Sequence, residues 1–195
     1  ITEHSERFRA SAEVLDFEIP YSVAELDAAK QLVVEKNNFQ SCYVRPVAWR
    51  GSEMMAVAAQ HATIHVAIAV WDWPSMFDVN EKMRGIRLDI AEYRRPDPVT
   101  APCKAKAAGL YMICTIADCF LDGITRRTVI DLAKRRGIEV VERRIMPDEL
   151  ASLEECFICG TGAEVTPVSG IADYTFTPGQ ISRTLMEDYT AEVNK

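Results

Sequence analysis

Apolar residues along the chain recur with two different periods, one typical of helices and the other of strands. Helical spacing predicts helices over four stretches: 2–15, 22–36, 124–136 and 181–193. A capping box formed by Ser22 and Glu25 starts the second of these helices, and Gly137 ends the third. Two further helices are predicted, a short one over 147–153 and one that begins near Pro102 and carries Lys106.

Alternating apolar residues and runs of β-forming residues predict strands instead. The stretches with this character are 42–49, 64–71, 86–90, 138–142, 156–158 and 165–168. The prolines at 95–98 predict an irregular loop, because each proline disfavours helix in the residue before it. Helices and strands are mixed without a regular βαβ repeat, so the pattern predicts an α+β fold.

The pattern breaks at Trp73-Pro74-Ser75 and resumes only further along the chain. We therefore predict a small α/β domain over 1–76, an interdomain linker over 77–84 and a larger domain over 85–195. The sequence begins at Ile1 rather than at methionine, inside what has the pattern of a mid-domain helix. We expect an N-terminal segment to precede it.

Composition narrows the function classes. The chain has 195 residues, of which 48% are hydrophobic and 26% charged, as is typical of a soluble globular protein. Its net charge of −7 argues against nucleic acid as a partner, and its longest apolar run, Ile64–Trp71, is too short to cross a membrane. The six cysteines are scattered rather than grouped as a disulfide framework, which favours reduced thiols and a cytoplasmic protein.

Two pairs of potential metal ligands are present, and neither makes a convincing metal site. Cys156 and Cys159 have C-x-x-C spacing, but on a strand they would point to opposite faces. We interpret them as two buried thiols rather than as a redox or zinc pair. His61 and His65 have the spacing of a helical metal pair, but their segment enters a strand. The prediction is therefore no metal.

Lys106 is the residue of greatest chemical interest, because it lies among small residues in KAKAAGLY. A lysine taken out of water has a lower pKa, since desolvation disfavours the ammonium. A neutral amine can form a Schiff base with a carbonyl cofactor. The alternative is a solvated surface lysine, and its neighbours in sequence leave both interpretations open.

Two turns are candidate phosphate sites. Gly123 precedes a predicted helix, so the N–H groups of Ile124 and Thr125 are free to bind an anion. The alternative is a capped helix with basic residues on its solvent face. The Gly160-Thr161-Gly162 turn can form a nest of N–H groups, and its alternative is a tight connection between strands.

Tyr43 and Arg45 are two residues apart on a predicted strand, so both side chains project from one face. A phenol and a guanidinium on one wall suit recognition of a carboxylate. The alternative is a pair of surface side chains without a ligand.

Taken in order, five stretches resemble the fold-type IV pyridoxal phosphate enzymes, and most closely the branched-chain aminotransferases. They are TEHSERF, YVRPVAWRGSEMMAV, KAKAAGLY, DGITRRTVIDLAKRRGIEVVERRI and FICGTGAEVTP. The resemblance implies pyridoxal 5'-phosphate as cofactor, and branched-chain amino acids and 2-oxo acids as substrates. It also implies a small domain and a larger pseudo-barrel domain, with the active site between them and completed by a second subunit of a homodimer or higher oligomer.

The resemblance also implies a role for each matching residue. Lys106 would hold the cofactor as a Schiff base and transfer the substrate's α-proton. The cofactor would further be bound by Arg7, the backbone of Ile124 and Thr125, the hydroxyl of Thr161 and the phenol of Tyr111. The substrate would be bound by Tyr43, Arg45, Trp73 and the backbone of Gly162 and Ala163.

The chain departs from the family pattern after Ala117. The family has a long stretch between the lysine segment and the GITR turn, and this stretch carries the glutamate that pairs with the pyridine nitrogen. Here Ala117 is followed directly by Asp118. We expect the given sequence to omit residues that the molecule contains, because a true deletion would remove strands from the barrel core and expose sheet edges.

Three alternative functions stay open. A D-amino acid aminotransferase and an aminodeoxychorismate lyase share the cofactor, and Tyr43-x-Arg45 argues mildly against both. A truncated, non-catalytic remnant that survives as an oligomerisation module is suggested by the missing stretch. The preferred amino acid among leucine, isoleucine and valine stays open as well, as does the choice between dimer and hexamer.

Overall fold

The computed structural model describes residues 1–53, 59–74, 79–92, 97, 99–102, 104–108 and 122–195. Contacts divide the chain into two compact units: 1–74 with 98–111, and 75–97 with 112–195. The segment that contains Lys106 is thus grouped with the first unit, while the domain bounds given above stay a prediction. In the part of the chain that the structure describes, no helix has both the length and the apolarity needed to span a bilayer.

The first unit begins with two helices, α1 (Thr2–Val14) and α2 (Val23–Lys36). The predicted capping box is confirmed. The Glu25 N–H donates to Ser22 Oγ at 3.2 Å, and the Glu25 carboxylate accepts from the Ser22 N–H at 2.8 Å. This exchange satisfies N–H groups that a helix start otherwise leaves without a partner.

Two antiparallel strands follow, β1 (Tyr43–Arg50) and β2 (Ile64–Trp71), with Tyr43 opposite Trp71 and Arg50 opposite Ile64. Alternate residues of the pair face the helices, where Ala48 and Val66 pack on a small buried core. Because strand side chains alternate, the other face of the pair carries Tyr43, Arg45 and Trp71.

Among the described residues, the second unit is built on a four-stranded sheet. Its elements in chain order are α3 (Val79–Lys82), β3 (Ile86–Leu88), α4 (Ile124–Arg135), a 3₁₀ helix (Pro147–Ser152), β4 (Cys156–Gly160), β5 (Glu164–Ile171), β6 (Tyr174–Thr175) and α5 (Gln180–Val193). Strand β5 is central. It pairs parallel with β3 and antiparallel with β4 and β6. This mixture of helices with parallel and antiparallel strands agrees with the predicted α+β class.

Both faces of this sheet are covered by apolar residues. On β4, Phe157 and Cys159 pack against the cluster formed with α4 and α5, whereas Cys156 and Ile158 pack against the cluster on the other face. Cys156 and Cys159 therefore point to opposite faces, as predicted. Burial raises the pKa of both thiols, which disfavours the reactive thiolate.

Gly85 fixes the approach of α3 and β3 to the central strand. Its φ is +75°, and a Cβ placed there would lie 2.7 Å from the Ser169 backbone nitrogen. Ser169 Oγ in turn donates to the Gly85 carbonyl at 3.0 Å. Both the backbone conformation and the available space require glycine at this position.

Two predicted elements are wrong. Residues 104–108 form turns rather than the helix expected from Pro102, and the Lys106 N–H donates to the Ser11 side chain instead of to a helical carbonyl. Residues 138–142 are not a strand, although Ile138 and Val140 do pack on the core of the second unit. The alternation of apolar residues in 138–142 indicates which side chains are buried. A strand also needs hydrogen bonds to the backbone of a neighbouring strand.

Candidate active site

Lys106 lies beside α1 in the first unit. Its backbone N–H donates to Ser11 Oγ at 3.0 Å, and the preceding Ala105 is buried. The lysine as a whole is exposed, yet the protein around its ammonium is dense enough for desolvation to lower its pKa. The positive charges of Arg7 and Arg45 lower this pKa further. Lys106 is therefore a better nucleophile near neutral pH than an ordinary surface lysine.

His4 and Arg7 lie one turn apart on α1. Arg7 Nη2 is 3.3 Å from His4 Nδ1. Burial, followed by the charge of Arg7, lowers the pKa of His4 to about 4, and Lys106 and Lys30 contribute in the same direction. The imidazole is therefore neutral at pH 7, and its Nδ1 can accept a hydrogen bond from Arg7 when the proton is on Nε2. The sequence analysis did not identify His4, because the burial that lowers its pKa depends on the fold.

Lys30 is a second lysine with a lowered pKa, but its surroundings are different. Its side chain is buried, where Nζ donates to Ser5 Oγ and lies 3.9 Å from the Asp27 carboxylate. Burial lowers the pKa of Lys30, and Asp27 opposes this shift. The ammonium is thus held in a buried polar network between α1 and α2, so we interpret Lys30 as structural rather than reactive.

An aromatic cluster stands on the free face of β1 and β2. The Tyr43 ring centroid is 5.0 Å from that of Trp71 and 5.1 Å from that of Trp73. The Arg45 guanidinium carbon lies 5.2 Å from the centroids of both Tyr43 and Trp71, which is within cation–π range. The structure thus brings together Tyr43, Arg45 and Trp73. It adds Trp71, which the sequence analysis missed, although its place opposite Tyr43 follows once the two strands are paired.

In the second unit, Gly123 is the N-cap of α4. Among the described residues, no side chain accepts a hydrogen bond at this cap. The N–H groups of Ile124 and Thr125 therefore lie at the positive end of a helix dipole, where an anion is favoured. Thr125 itself is buried, with Oγ1 at 3.4 Å from the Tyr189 hydroxyl.

The loop between β4 and β5 carries the remaining predicted site residues, Thr161, Gly162 and Ala163. Its base is held firmly: Thr166 Oγ1 donates to the Ala163 carbonyl at 2.6 Å, and the buried Lys82 forms an ion pair with Glu164. The Thr161 side chain is exposed. A loop fixed at its base with an exposed hydroxyl at its tip is a suitable frame for binding a phosphate.

The predicted site residues thus fall on both units. Arg7, Tyr43, Arg45, Trp73 and Lys106 belong to the first unit, and Ile124, Thr125, Thr161, Gly162 and Ala163 to the second. Tyr111 lies outside the described residues, and so does the junction that follows Ala117. Within the described ranges, no three His, Cys, Asp or Glu residues come together as a metal-ligand set.

In the first unit, a lysine of lowered pKa lies beside two arginines, and in the second unit, helix and loop N–H groups suit an anion. Each of these features is typical of proteins that hold a phosphorylated carbonyl cofactor. The comparison with known families agrees with this class. The sequence model described as amino-transferase class IV matches residues 1–117 and 108–171, and the chain belongs to this family.

The chain is similar in sequence to proteins named as branched-chain aminotransferases. The chain is 31% identical to the probable branched-chain-amino-acid aminotransferase of Rickettsia felis, with 97% of this chain and 80% of the relative covered. It is 29% identical to the branched-chain-amino-acid aminotransferase of Pseudomonas aeruginosa, over 85% of this chain and 67% of the relative.

Solved structures confirm the fold. The branched-chain aminotransferase of Thermoproteus uzoniensis with norvaline matches with a TM-score of 0.90 and 27% identity, over 99% of this chain and 78% of its own. The T.th. branched-chain amino acid aminotransferase with pyridoxamine 5'-phosphate matches with a TM-score of 0.91 and 31% identity, over 98% of this chain and 78% of its own. The predicted fold-type IV, branched-chain group is therefore confirmed.

The comparisons also reveal residues of the relatives that have no counterpart here. The alignment with the Rickettsia felis protein runs over 235 positions, whereas this chain has 195 residues, so at least 40 positions are unmatched. The two matches to the family meet within 108–117. The position of the missing stretch, directly after Ala117, stays a prediction.

Proposed function

We propose that the protein is a pyridoxal 5'-phosphate-dependent aminotransferase that exchanges amino groups between branched-chain L-amino acids and 2-oxoglutarate. The observation that carries this proposal is Lys106, whose amine has a lowered pKa beside Arg7 and Arg45. Membership of the class IV family supports the reaction class. The branched-chain relatives, and the T.th. structure with pyridoxamine 5'-phosphate, support the substrates and the cofactor.

The residues present fit this cofactor. Its phosphate needs cations and N–H donors, which Arg7, the start of α4 and the Thr161 hydroxyl would supply. Its aldehyde needs a partly desolvated amine, which Lys106 would supply. When bound, the cofactor supplies a carbonyl that condenses with amines and a ring that accepts the electron pair released at the substrate Cα. The proposed role of Tyr111 is a hydrogen bond to the phenolic oxygen.

Lys106 would also act on a proton. Its Nζ would accept the proton from the substrate Cα, a step that requires the uncharged amine. Desolvation, and then the positive charges of Arg7 and Arg45, favour that form by lowering the pKa of Lys106. The same neighbours that suit the lysine to hold the cofactor therefore suit it to serve as the general base.

Substrate binding would divide between polar and apolar groups. Arg45 and the Tyr43 hydroxyl, with the N–H groups of Gly162 and Ala163, would bind carboxylate oxygens. Trp73, which lies against Tyr43, would provide an apolar wall for a branched aliphatic side chain. Trp71 would complete this wall, because its ring lies near the rings of both Tyr43 and Trp73.

We further propose a cytoplasmic homodimer or higher oligomer of two-domain subunits, with the bounds given in the sequence analysis. Its support is the family resemblance for self-association, and the acidic composition with scattered cysteines for the location. Sedimentation of the purified protein tests self-association, and a purely monomeric protein would contradict it.

Reductive trapping tests the proposed function directly. The protein is equilibrated with pyridoxal 5'-phosphate, reduced with borohydride and digested, and the tagged peptide is identified by mass spectrometry. The tag should lie on Lys106; a tag on Lys104 instead would overturn the assignment. Leucine, isoleucine or valine should change the visible absorption of the bound cofactor before reduction.

Two comparisons separate the alternatives. Side-by-side assays with L-valine, D-alanine and aminodeoxychorismate distinguish the branched-chain enzyme from the two related activities. The second candidate is the non-catalytic remnant, which is supported by the positions of the Rickettsia felis relative that have no counterpart in this chain. A protein with an intact mass of 21.9 kDa that is tagged at Lys106 but transfers no amino group would establish it.

A further inference from the structure

One buried hydroxyl joins the two parts of the first unit that carry Lys106 and Arg7. Ser11 lies on α1, one turn after Arg7, and only 7% of it is exposed. Its Oγ donates to the Arg7 carbonyl at 2.8 Å and accepts from the Lys106 N–H at 3.0 Å, across 95 positions of sequence. A single oxygen thus attaches the backbone of Lys106 to the helical turn that carries Arg7.

The helix alone does not explain this serine. Alanine has the higher helix propensity, and a serine that bonds the carbonyl four residues earlier slightly destabilises a helix. The contribution of Ser11 is therefore tertiary. It supplies an acceptor to the N–H of Lys106, which lies in the turns of 104–108 rather than in a helix.

The groups that Ser11 brings together have the same charge. Lys106 is close enough to Arg7 and Arg45 for both to act on its ammonium, and Arg7 and Lys106 in turn act on His4. Like charges repel, so a lysine on an unattached turn would move toward solvent. An attached backbone keeps the amine near the guanidinium in spite of this repulsion.

We propose that Ser11 is a positioning residue, which holds the Lys106 amine close to Arg7 through a hydrogen bond to the lysine backbone. The inference rests on the proposed function, because it gives a purpose to a contact at the lysine that would hold the cofactor. Ser11 acts through the backbone of these two residues and not on the reacting atoms.

The loss of this hydroxyl has a measurable consequence that a purely structural serine would not produce. Without it, Lys106 moves away from Arg7 and from the protein around its ammonium, so desolvation and repulsion both weaken. The pKa of Lys106 then rises toward the ordinary value of a lysine. At a given pH a smaller fraction of the amine is neutral and nucleophilic.

The test measures the reactivity of Lys106 in the protein without added cofactor. Wild type and Ser11→Ala are pulse-labelled with acetic anhydride between about pH 7 and about pH 11, and labelling of each lysine is measured by mass spectrometry. Lys104, which is exposed and two residues away, is the internal reference. In Ser11→Ala the labelling midpoint of Lys106 should rise by about half a pH unit to one pH unit, while that of Lys104 stays unchanged.

Two further variants serve as controls. Ser11→Thr keeps a hydroxyl and should restore the wild-type midpoint of Lys106. Ser22→Ala removes the α2 cap elsewhere in the same unit, so it controls for general loss of stability and should leave the midpoint unchanged. Titration with pyridoxal 5'-phosphate, followed by absorbance, should show about tenfold weaker binding for Ser11→Ala than for Ser22→Ala.

The outcomes separate this proposal from the proposed function. If borohydride tags Lys106 in the wild type but Ser11→Ala keeps the wild-type midpoint and affinity, Ser11 does not position the lysine and the function stands. If borohydride does not tag Lys106 in the wild type, the proposed function is contradicted. The role of Ser11 is then decided only by whether Ser11→Ala shifts the labelling midpoint of Lys106. Should Ser11→Ala not fold, Ser11→Cys replaces it with similar volume and a weaker acceptor, and an unchanged midpoint there overturns the proposal.

Discussion

The surroundings of Lys106 in the first unit differ in charge arrangement from the ion pairs of the second unit. Around Lys106 in the first unit, cations are gathered beside one another, and the pKa of both Lys106 and His4 is lowered. In the second unit, cations face carboxylates instead. Its ion pairs include Lys82 with Glu164, Arg126 with Glu142 and Arg136 with Asp188.

This difference distinguishes a candidate site from its scaffold. Gathering like charges opposes folding, so such a cluster indicates a ligand of the opposite charge or a reactive group that needs the shifted pKa. Opposite charges in contact neutralise each other and need no ligand, although exposed pairs add little to stability. Substitutions around Lys106 should therefore change catalytic activity more than the free energy of unfolding. Substitutions in the second unit should change the free energy of unfolding more than the activity.

The largest expected effect is the loss of the Lys106 amine. Lys106→Ala should lower the rate of amino transfer from L-valine to 2-oxoglutarate by about 10²–10⁴-fold or more. General acid–base catalysis alone typically contributes this factor. Its thermal midpoint should stay close to that of the wild type, because the side chain is exposed. Lys104→Ala is the matched control and should retain activity. If Lys106→Ala kept most of its activity, the surroundings of Lys106 would not be the catalytic site.

Gly85 tests the scaffold. Gly85→Ala combines a left-handed backbone conformation with a Cβ only 2.7 Å from Ser169 N, so it should cost about 2–4 kcal/mol of unfolding free energy. Gly137 has a similar φ of +72° with open space around it, so Gly137→Ala should cost only about 1 kcal/mol. Urea unfolding measures both. Equal costs would show that the close approach at Ser169 does not matter.

Substitution of Glu155 tests how much a carboxylate contributes to the stability of the second unit. It accepts hydrogen bonds from the backbone of Gly179, Ile181 and Ser182 at the start of α5, and from the Ser182 hydroxyl. Burial raises the pKa of Glu155, but these hydrogen bonds together lower it below its usual range. Glu155→Ala should cost about 1–3 kcal/mol by leaving these donors without their acceptor.

The direction of the pH effect follows from the lowered pKa of Glu155. Stability from the carboxylate is present above its unfolded pKa and is lost as the pH falls through the folded value. The difference between wild type and Glu155→Ala, measured by urea unfolding, should therefore shrink below about pH 4. Lys106 labelling should be unaffected, and a shift in its midpoint would contradict the separation of roles.

The smallest expected effect comes from His4. Its pKa is about 4 when folded against 6.5 when unfolded, so the unfolded chain binds more protons between these values and stability falls as the pH falls through this window. His4→Gln should reduce the change in unfolding free energy across this pH window by about 1 kcal/mol. This figure is smaller than the full pKa difference implies, because solvent reaches part of the ring. Thermal unfolding at several pH values measures it. His65→Gln, which changes an exposed imidazole, is the control, and an equal flattening there would refute the effect.

Local signals predicted the elements whose causes are local. The capping box of Ser22 and Glu25, the alternation on β1 and β2, and the opposed thiols of Cys156 and Cys159 all depend on neighbours a few residues apart. The ordered motifs around Lys106 predicted the family, because a series of short matches in a fixed order is far more specific than any one of them.

The features that were missed depend on distant parts of the chain. Small residues around Lys106 suggested a helix, but the partner of its N–H is Ser11, which is 95 positions away. The lowered pKa of His4 arises first from burial in the folded chain and then from the charge of Arg7, with further contributions from the distant Lys30 and Lys106. The strand expected over 138–142 failed because alternation predicts burial and does not supply a pairing partner.

The aromatic cluster on β1 and β2 also determines what the intrinsic fluorescence of this protein reports. All three tryptophans of the chain, Trp49, Trp71 and Trp73, belong to the first unit. Tryptophan emission therefore monitors that unit alone, whereas circular dichroism at helix wavelengths monitors both. Denaturation curves recorded by the two methods on one sample would show whether the units unfold together or in succession.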